Sequence, residues 1–206
     1  QWVQDRYKDR NYFTVDLKQV VLYPQRSGQL TIGKGTYDAT IRISTPSKAR
    51  SIFDDFFDSY RDVNKQLVSQ PATINVKPLP SGKPASFSGA VGNFTMSAAL
   101  SSDHVKTNEA VTVKVKISGN GNLKVLKNPE VIFPNDFDVY DPKVDVDTKT
   151  TTAGVTGSKS IEYMAIPRYA GDFEMPAVSF SYFDTKSKSY KTLTSESFKL
   201  HVEKGD

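Results

Sequence analysis

Apolar and polar residues alternate with a period of two over most of the chain. Val111, Val113, Val115 and Ile117 fall on one side of an extended segment, and Thr112, Lys114, Lys116 and Ser118 fall on the other. Strand side chains point alternately to the two faces, so this segment predicts a half-buried strand. It runs into Gly119-Asn120-Gly121-Asn122, residues that tolerate positive φ, which predicts a tight turn. Phe94, Met96, Ala98 and Leu100 mark the strand before it. The alternation returns at Ile161, Tyr163 and Ala165, at Val178, Phe180 and Tyr182, and at Phe198, Leu200 and Val202. About seven short strands separated by turn signals are predicted from residue 92 onward, the pattern of an all-β, immunoglobulin-like sandwich.

One segment departs from this period. In residues 47–63, Phe53, Phe56, Phe57, Tyr60 and Val63 recur at helical spacing, Ser51 is placed to cap, and Asp54 and Asp55 suit the first turn. A short amphipathic helix is predicted, whose aromatic face either closes the end of a sandwich or docks a partner.

The proline-rich run Pro78-Leu79-Pro80-Ser81-Gly82-Lys83-Pro84 favours extended backbone and predicts a semi-rigid joint over residues 78–86. An internal repeat supports a division there. Pro24, Gly28, Leu30 and Ile32 match Pro167, Gly171, Phe173 and Met175 at one constant offset. Leu67-Val68-Ser69 then matches Leu193-Thr194-Ser195, and Ile74 and Val76 match Leu200 and Val202. Such self-similarity means one supersecondary unit used twice. The expected fold is therefore all-β, with tandem immunoglobulin-like sandwich units and one short amphipathic helix in the first. Residues 1–77 form a partial repeat with the helical insertion near 47–63, and residues 87–206 form the second unit.

Composition narrows the chemistry. The 206 residues are 37% hydrophobic and 24% charged, with a formal net charge of +4, a globular balance with both charge signs interspersed. No block of like charge forms a nucleic-acid tail. No cysteine is present, which removes disulfides, thiolate catalysis and thiolate metal sites. No apolar run approaches the roughly 18–20 residues that span a bilayer. The opening Gln1-Trp2-Val3-Gln4-Asp5 has no signal-peptide pattern and reads as the interior of a longer polypeptide.

Of the two histidines, His104 sits in a turn signal and His201 on the polar side of the last strand, and both read as surface residues. No nucleophile elbow or metalloprotease helix accompanies them, so no enzyme and no cofactor are expected. Asp136, Asp138, Asp141, Asp145 and Asp147 form an acidic run. Solvated carboxylates are the ordinary reading and a Ca²⁺ site the other, although the spacing matches no EF-hand loop.

These segments resemble the BatD family, the oxygen-tolerance proteins of the Bacteroides aerotolerance group. The likeness is carried by Phe87-Ser88-Gly89-Ala90-Val91-Gly92-Asn93-Phe94, Ile117-Ser118-Gly119-Asn120-Gly121-Asn122-Leu123, Phe137-Asp138-Val139-Tyr140-Asp141-Pro142, Glu162-Tyr163-Met164-Ala165-Ile166-Pro167-Arg168 and Phe180-Ser181-Tyr182-Phe183-Asp184. The resemblance implies repeated periplasmic β-sandwiches in a parent anchored in the inner membrane by segments outside this sequence. It also implies a complex with von Willebrand A-type and tetratricopeptide-repeat Bat proteins, and brings no catalytic residues.

The expected function is a non-catalytic interaction scaffold linked to oxygen tolerance. The candidate partner surfaces are Phe53, Phe56, Phe57 and Tyr60, together with Asp141, Asp145 and Asp184, since a von Willebrand A metal captures a carboxylate. The alternatives are a carbohydrate-binding or adhesion sandwich and a hydrolase with an unrecognised carboxylate pair.

Overall fold

The computed structural model describes residues 1–44 and 60–205. The chain divides into two compact units, Gln1–Tyr23 with Pro80–Asp206, and Pro24–Leu79. In the first unit β1 (Val3–Tyr7) and β2 (Arg10–Thr14) form a hairpin. Its two turn residues, Lys8 and Asp9, both have positive φ (46° and 60°), the combination that matches the twist of the flanking strands.

Among its described residues, the unit Pro24–Leu79 holds two antiparallel strand pairs. β3 (Gly28–Ile32) pairs with β6 (Ala72–Val76), and β4 (Thr36–Ser44) pairs with β5 (Tyr60–Val68). The β4–β5 pair is two-faced. On one face Asp38, Thr40 and Arg42 stand opposite Gln66, Asn64 and Asp62, and all three pairs are bonded, Arg42 to Asp62 through two contacts of 2.9 and 3.2 Å. The other face carries Tyr37 opposite Leu67 and Ile41 opposite Val63.

β5 corrects the expected helix at its end. Tyr60–Val63 is strand, and Tyr60 opens β5 opposite Ser44. Val63 satisfies a helical and a twofold period equally, and the cross-strand Arg42–Asp62 pair favours the ladder. Phe53, Phe56 and Phe57 lie outside the described residues.

The remaining strands build the sandwich. They are β7 (Phe87–Leu100), β8 (His104–Lys106), β9 (Val111–Gly121), β10 (Phe137–Val139), β11 (Lys143–Thr151), β12 (Gly154–Pro167), β13 (Gly171–Met175), β14 (Ser179–Asp184), β15 (Ser189–Thr194) and β16 (Phe198–Glu203). One sheet runs β10-β12-β9-β7-β14-β15, with β11 following β10 along the same side of β12. The other runs β13-β16-β8. Two contacts are parallel, β14 with β7 and β16 with β8.

The expected alternation holds: Val111, Val113, Val115 and Ile117 are fully buried, while Lys114 and Lys116 are exposed. They share a core with Ile161, Phe180 and Tyr182 of the same sheet and with Met175, Leu200 and Val202 of the other. Phe94 meets Phe180 and Tyr182 edge-on at 5.8 and 5.4 Å, and Phe137 meets Phe173 across the two sheets at 5.0 Å.

The glycine run after Ile117 is not the expected turn. β9 continues through Gly119 and Gly121, which pair with Phe94 and Gly92 of β7. A Cβ on Gly119 would stand 2.0 Å from the Asn93 carbonyl oxygen, and one on Gly92 2.1 Å from that of Asn120. These glycines permit a close approach of neighbouring strands, a demand inside a sheet that resembles turn chemistry in sequence.

The internal repeat is a repeat of strand pairing. Gly28 faces Val76 and Leu30 faces Ile74, as Gly171 faces Val202 and Phe173 faces Leu200. Tyr37 faces Leu67 as Phe180 faces Leu193. The Pro24–Leu79 unit thus reproduces the β13–β16 and β14–β15 pairs of the complete sandwich in the same register.

Candidate interaction surfaces

The predicted acidic residues separate into two environments. Asp141 lies exposed between β10 and β11, and Asp145 is exposed on β11. Among the described residues β11 pairs only with β12, so it presents an open strand edge, studded with Lys143, Asp145, Asp147 and Lys149, charges that discourage unspecific pairing of strands. Asp145 also borders a surface depression of about 290 Å³ with Lys114, Lys143, Ser160 and Glu162. Asp138 is already committed to Arg168, which also donates to Asn108 Oδ1 at 2.7 Å.

Asp184 departs from the expectation of an exposed carboxylate. It is buried at the end of β14, where it accepts hydrogen bonds from the Lys186 N–H (2.9 Å) and the Ser187 hydroxyl (3.0 Å) and pairs with Lys191 Nζ at 2.7 Å. The Lys191 ammonium and these donors hold its carboxyl far below the ordinary carboxylate range. The group closes the β14–β15 turn. Its shift is opposite in direction to that of a general acid in glycoside hydrolysis.

Two buried groups fasten the segment between β9 and β10. Lys159 Nζ donates to the Leu126 carbonyl at 2.5 Å, and the Tyr163 hydroxyl donates to the Pro129 carbonyl. Burial lowers the Lys159 pKa and pushes Tyr163 up to about 12. The proline-rich segment is also held, since the Tyr190 hydroxyl donates to the Pro80 carbonyl at 2.7 Å and Ser86 Oγ lies 2.5 Å from Ser181 Oγ.

The two histidines, read separately in the sequence, meet. β8 lies parallel to β16 with His104 beside His201, and their ring centroids are 4.8 Å apart. Asp172 of β13 lies 2.5 Å from His201 Nδ1 and raises that imidazole's pKa, with Glu203 contributing. Among the described residues, His104, His201 and Glu203 form the one group of three potential metal ligands found close together, and the acidic run of residues 136–147 forms none.

The β7–β16 region matches a family model described as the BatD DUF11-like domain, over residues 98–202, just over half of the chain. No curated protein matches the chain.

Proposed function

The chain belongs to the BatD family, and on that premise we propose that it is a non-catalytic periplasmic interaction scaffold in a membrane-associated Bat-type complex linked to oxygen tolerance. The observation that carries this reading is the family domain itself, built as a sandwich whose strand-pairing scheme occurs a second time in the same chain. A sandwich and its partial repeat each offer strand edges and loop tips to partners. No helix among the described residues is long and apolar enough to cross a membrane.

The partners proposed are von Willebrand A-type and tetratricopeptide-repeat Bat proteins. Asp141 and Asp145 are the carboxylates offered to a partner's metal, and the segment carrying Phe53, Phe56 and Phe57, with Tyr60 beyond it, is the proposed aromatic surface. The carbohydrate-binding alternative asks for coplanar exposed rings, whereas Phe94, Phe180 and Tyr182 of the sandwich are buried against one another.

Crosslinking the full-length parent in membranes, followed by pull-down, tests the proposal. Recovery of both kinds of Bat protein is expected, and Asp145→Asn combined with Asp141→Asn reduces capture of the von Willebrand A-type partner. Recovery of neither kind overturns the scaffold reading.

A further inference from the structure

The outer face of the three-stranded sheet concentrates groups that the fold does not need. Leu200 and Val202 of β16 point into the core, so His201 and Glu203 point the other way, on the side where His104 stands. One ligand atom from each of His104, His201 and Glu203 lies within 4.8 Å of the others. An ion bound tetrahedrally at about 2.0–2.2 Å needs donors roughly 3.5 Å apart, so rotations that close the group by about 1 Å suffice.

We propose that His104, His201 and Glu203 bind a divalent transition metal of the zinc class. Two imidazoles and a carboxylate suit that class, whereas Ca²⁺ and Mg²⁺ favour all-oxygen sites. Asp172 supplies a second, independent feature. It faces His201 across the β13–β16 pair and bonds Nδ1 at 2.5 Å, which orients the ring and leaves Nε2 for the metal. Asp103 stands 3.7 Å from His104 Nδ1, beyond hydrogen-bond distance.

The backbone around these groups is fixed. The His201 N–H donates to the Asp103 carbonyl at 2.8 Å, and the His104 N–H donates to Ser102 Oγ at 3.1 Å. An open depression of about 420 Å³ flanks the group, lined by Asp103, His104, Asp172, Lys199 and His201 but not by Glu203. His104 and Glu203 are themselves exposed, so the group is open to solvent. In the Pro24–Leu79 unit the pair equivalent to Asp172 and His201 is Gln29 and Asn75, and the strands pair in the same register. The Asp–His pair is therefore not a requirement of the sheet. With three protein donors, a fourth position remains for water or for a donor from another molecule.

Titration of the chain with Zn²⁺ against a chromophoric chelator tests the site. One ion per chain at micromolar affinity is expected. His104→Gln and Glu203→Gln each weaken binding at least about tenfold, Asp172→Asn weakens it about tenfold, and Asp147→Asn, on the exposed strand β11, leaves it unchanged. The unaltered protein provides a second readout, because its two histidines are the only ones in the sequence. Both rings' proton resonances shift together and saturate at one equivalent of Zn²⁺, and the same concentration of Ca²⁺ leaves them in place. Rings that do not respond together, or an affinity equal in the His104 and Glu203 variants, overturn the proposal and leave an adventitious ion only.

Discussion

Ser69 and Ser195 make the same two hydrogen bonds in different places. The Ser69 N–H donates to the Gly35 carbonyl at 2.8 Å while its Oγ accepts the Gly35 N–H at 2.7 Å. The Ser195 N–H donates to the Val178 carbonyl at 2.9 Å while its Oγ accepts the Val178 N–H at 2.9 Å. Each serine closes the end of one strand pair, so the two units share a fastening as well as a register. The surroundings differ, because Val178 is buried and Gly35 is not fully covered. Ser195→Ala therefore strands a buried N–H and costs about 1–3 kcal/mol, while Ser69→Ala costs less than about 1 kcal/mol. Urea unfolding of both variants, followed by tryptophan-independent circular dichroism, measures the difference.

The same comparison predicts unequal protection from hydrogen exchange. Tyr37 and Ile74 are 42% and 43% exposed, whereas their equivalents Phe180 and Leu200 are each 2% exposed. Amides of β3–β6 and β4–β5 open with fewer buried contacts to break than those of β13–β16 and β14–β15. Exchange read by mass spectrometry at neutral pH is expected to be faster in both pairs of the Pro24–Leu79 unit, and equal rates would refute this.

Asp184 predicts a pH dependence of stability. Its folded-state pKa is depressed, so its contribution is fully present above the unfolded carboxylate value of about 3.9 and is lost as pH falls through the folded value. Asp184→Asn removes the Lys191 partner's counter-charge and lowers the melting temperature by several degrees at neutral pH. The gap between variant and parent stays constant from pH 7 to about pH 5 and narrows below about pH 4. Calorimetry across that range follows the gap, and a gap that widens in acid would contradict the assignment.

Gly119 predicts a severe packing defect. Gly119→Ala brings a Cβ against the Asn93 carbonyl in the middle of the sheet and places a side chain at φ +153°, for a loss of about 3 kcal/mol or more. Gly33 has open space around it, and Gly33→Ala changes stability by no more than about 0.5 kcal/mol. Chemical denaturation of the two alanine variants side by side is the measurement.

The sequence disclosed those parts of the fold that one buried face enforces. Val111–Ile117 and Ile161–Ala165 alternate because a slip of one residue would expose the core. The repeat was visible because Pro and Gly hold fixed positions beside each strand. Tyr60–Val63 misled because an aromatic and a valine three residues apart suit a helix as well as a strand. Gly119 misled because turns and close strand contacts ask for the same residue. Asp184 reads in the sequence as a carboxylate free for a partner's metal, and only the folded turn shows its oxygens taken up by the Lys186 N–H and the Ser187 hydroxyl. The meeting of His104 and His201 had no local signal at all, since it depends on a parallel contact between distant strands.

That parallel contact also imposes a schedule on synthesis. Among the described residues β8 borders no strand but β16, and β13 likewise pairs only with β16, so both wait for one of the last segments to be made. At about 5–20 residues per second, the interval between His104 and His201 is roughly 5–20 s. During that time the large sheet can assemble through its β7, β9 and β12 contacts, while the small one has no centre. Closure of the histidine pair thus marks the moment at which the sandwich acquires its second layer, and a ring resonance that reports the pair also serves as a clock for the completed fold.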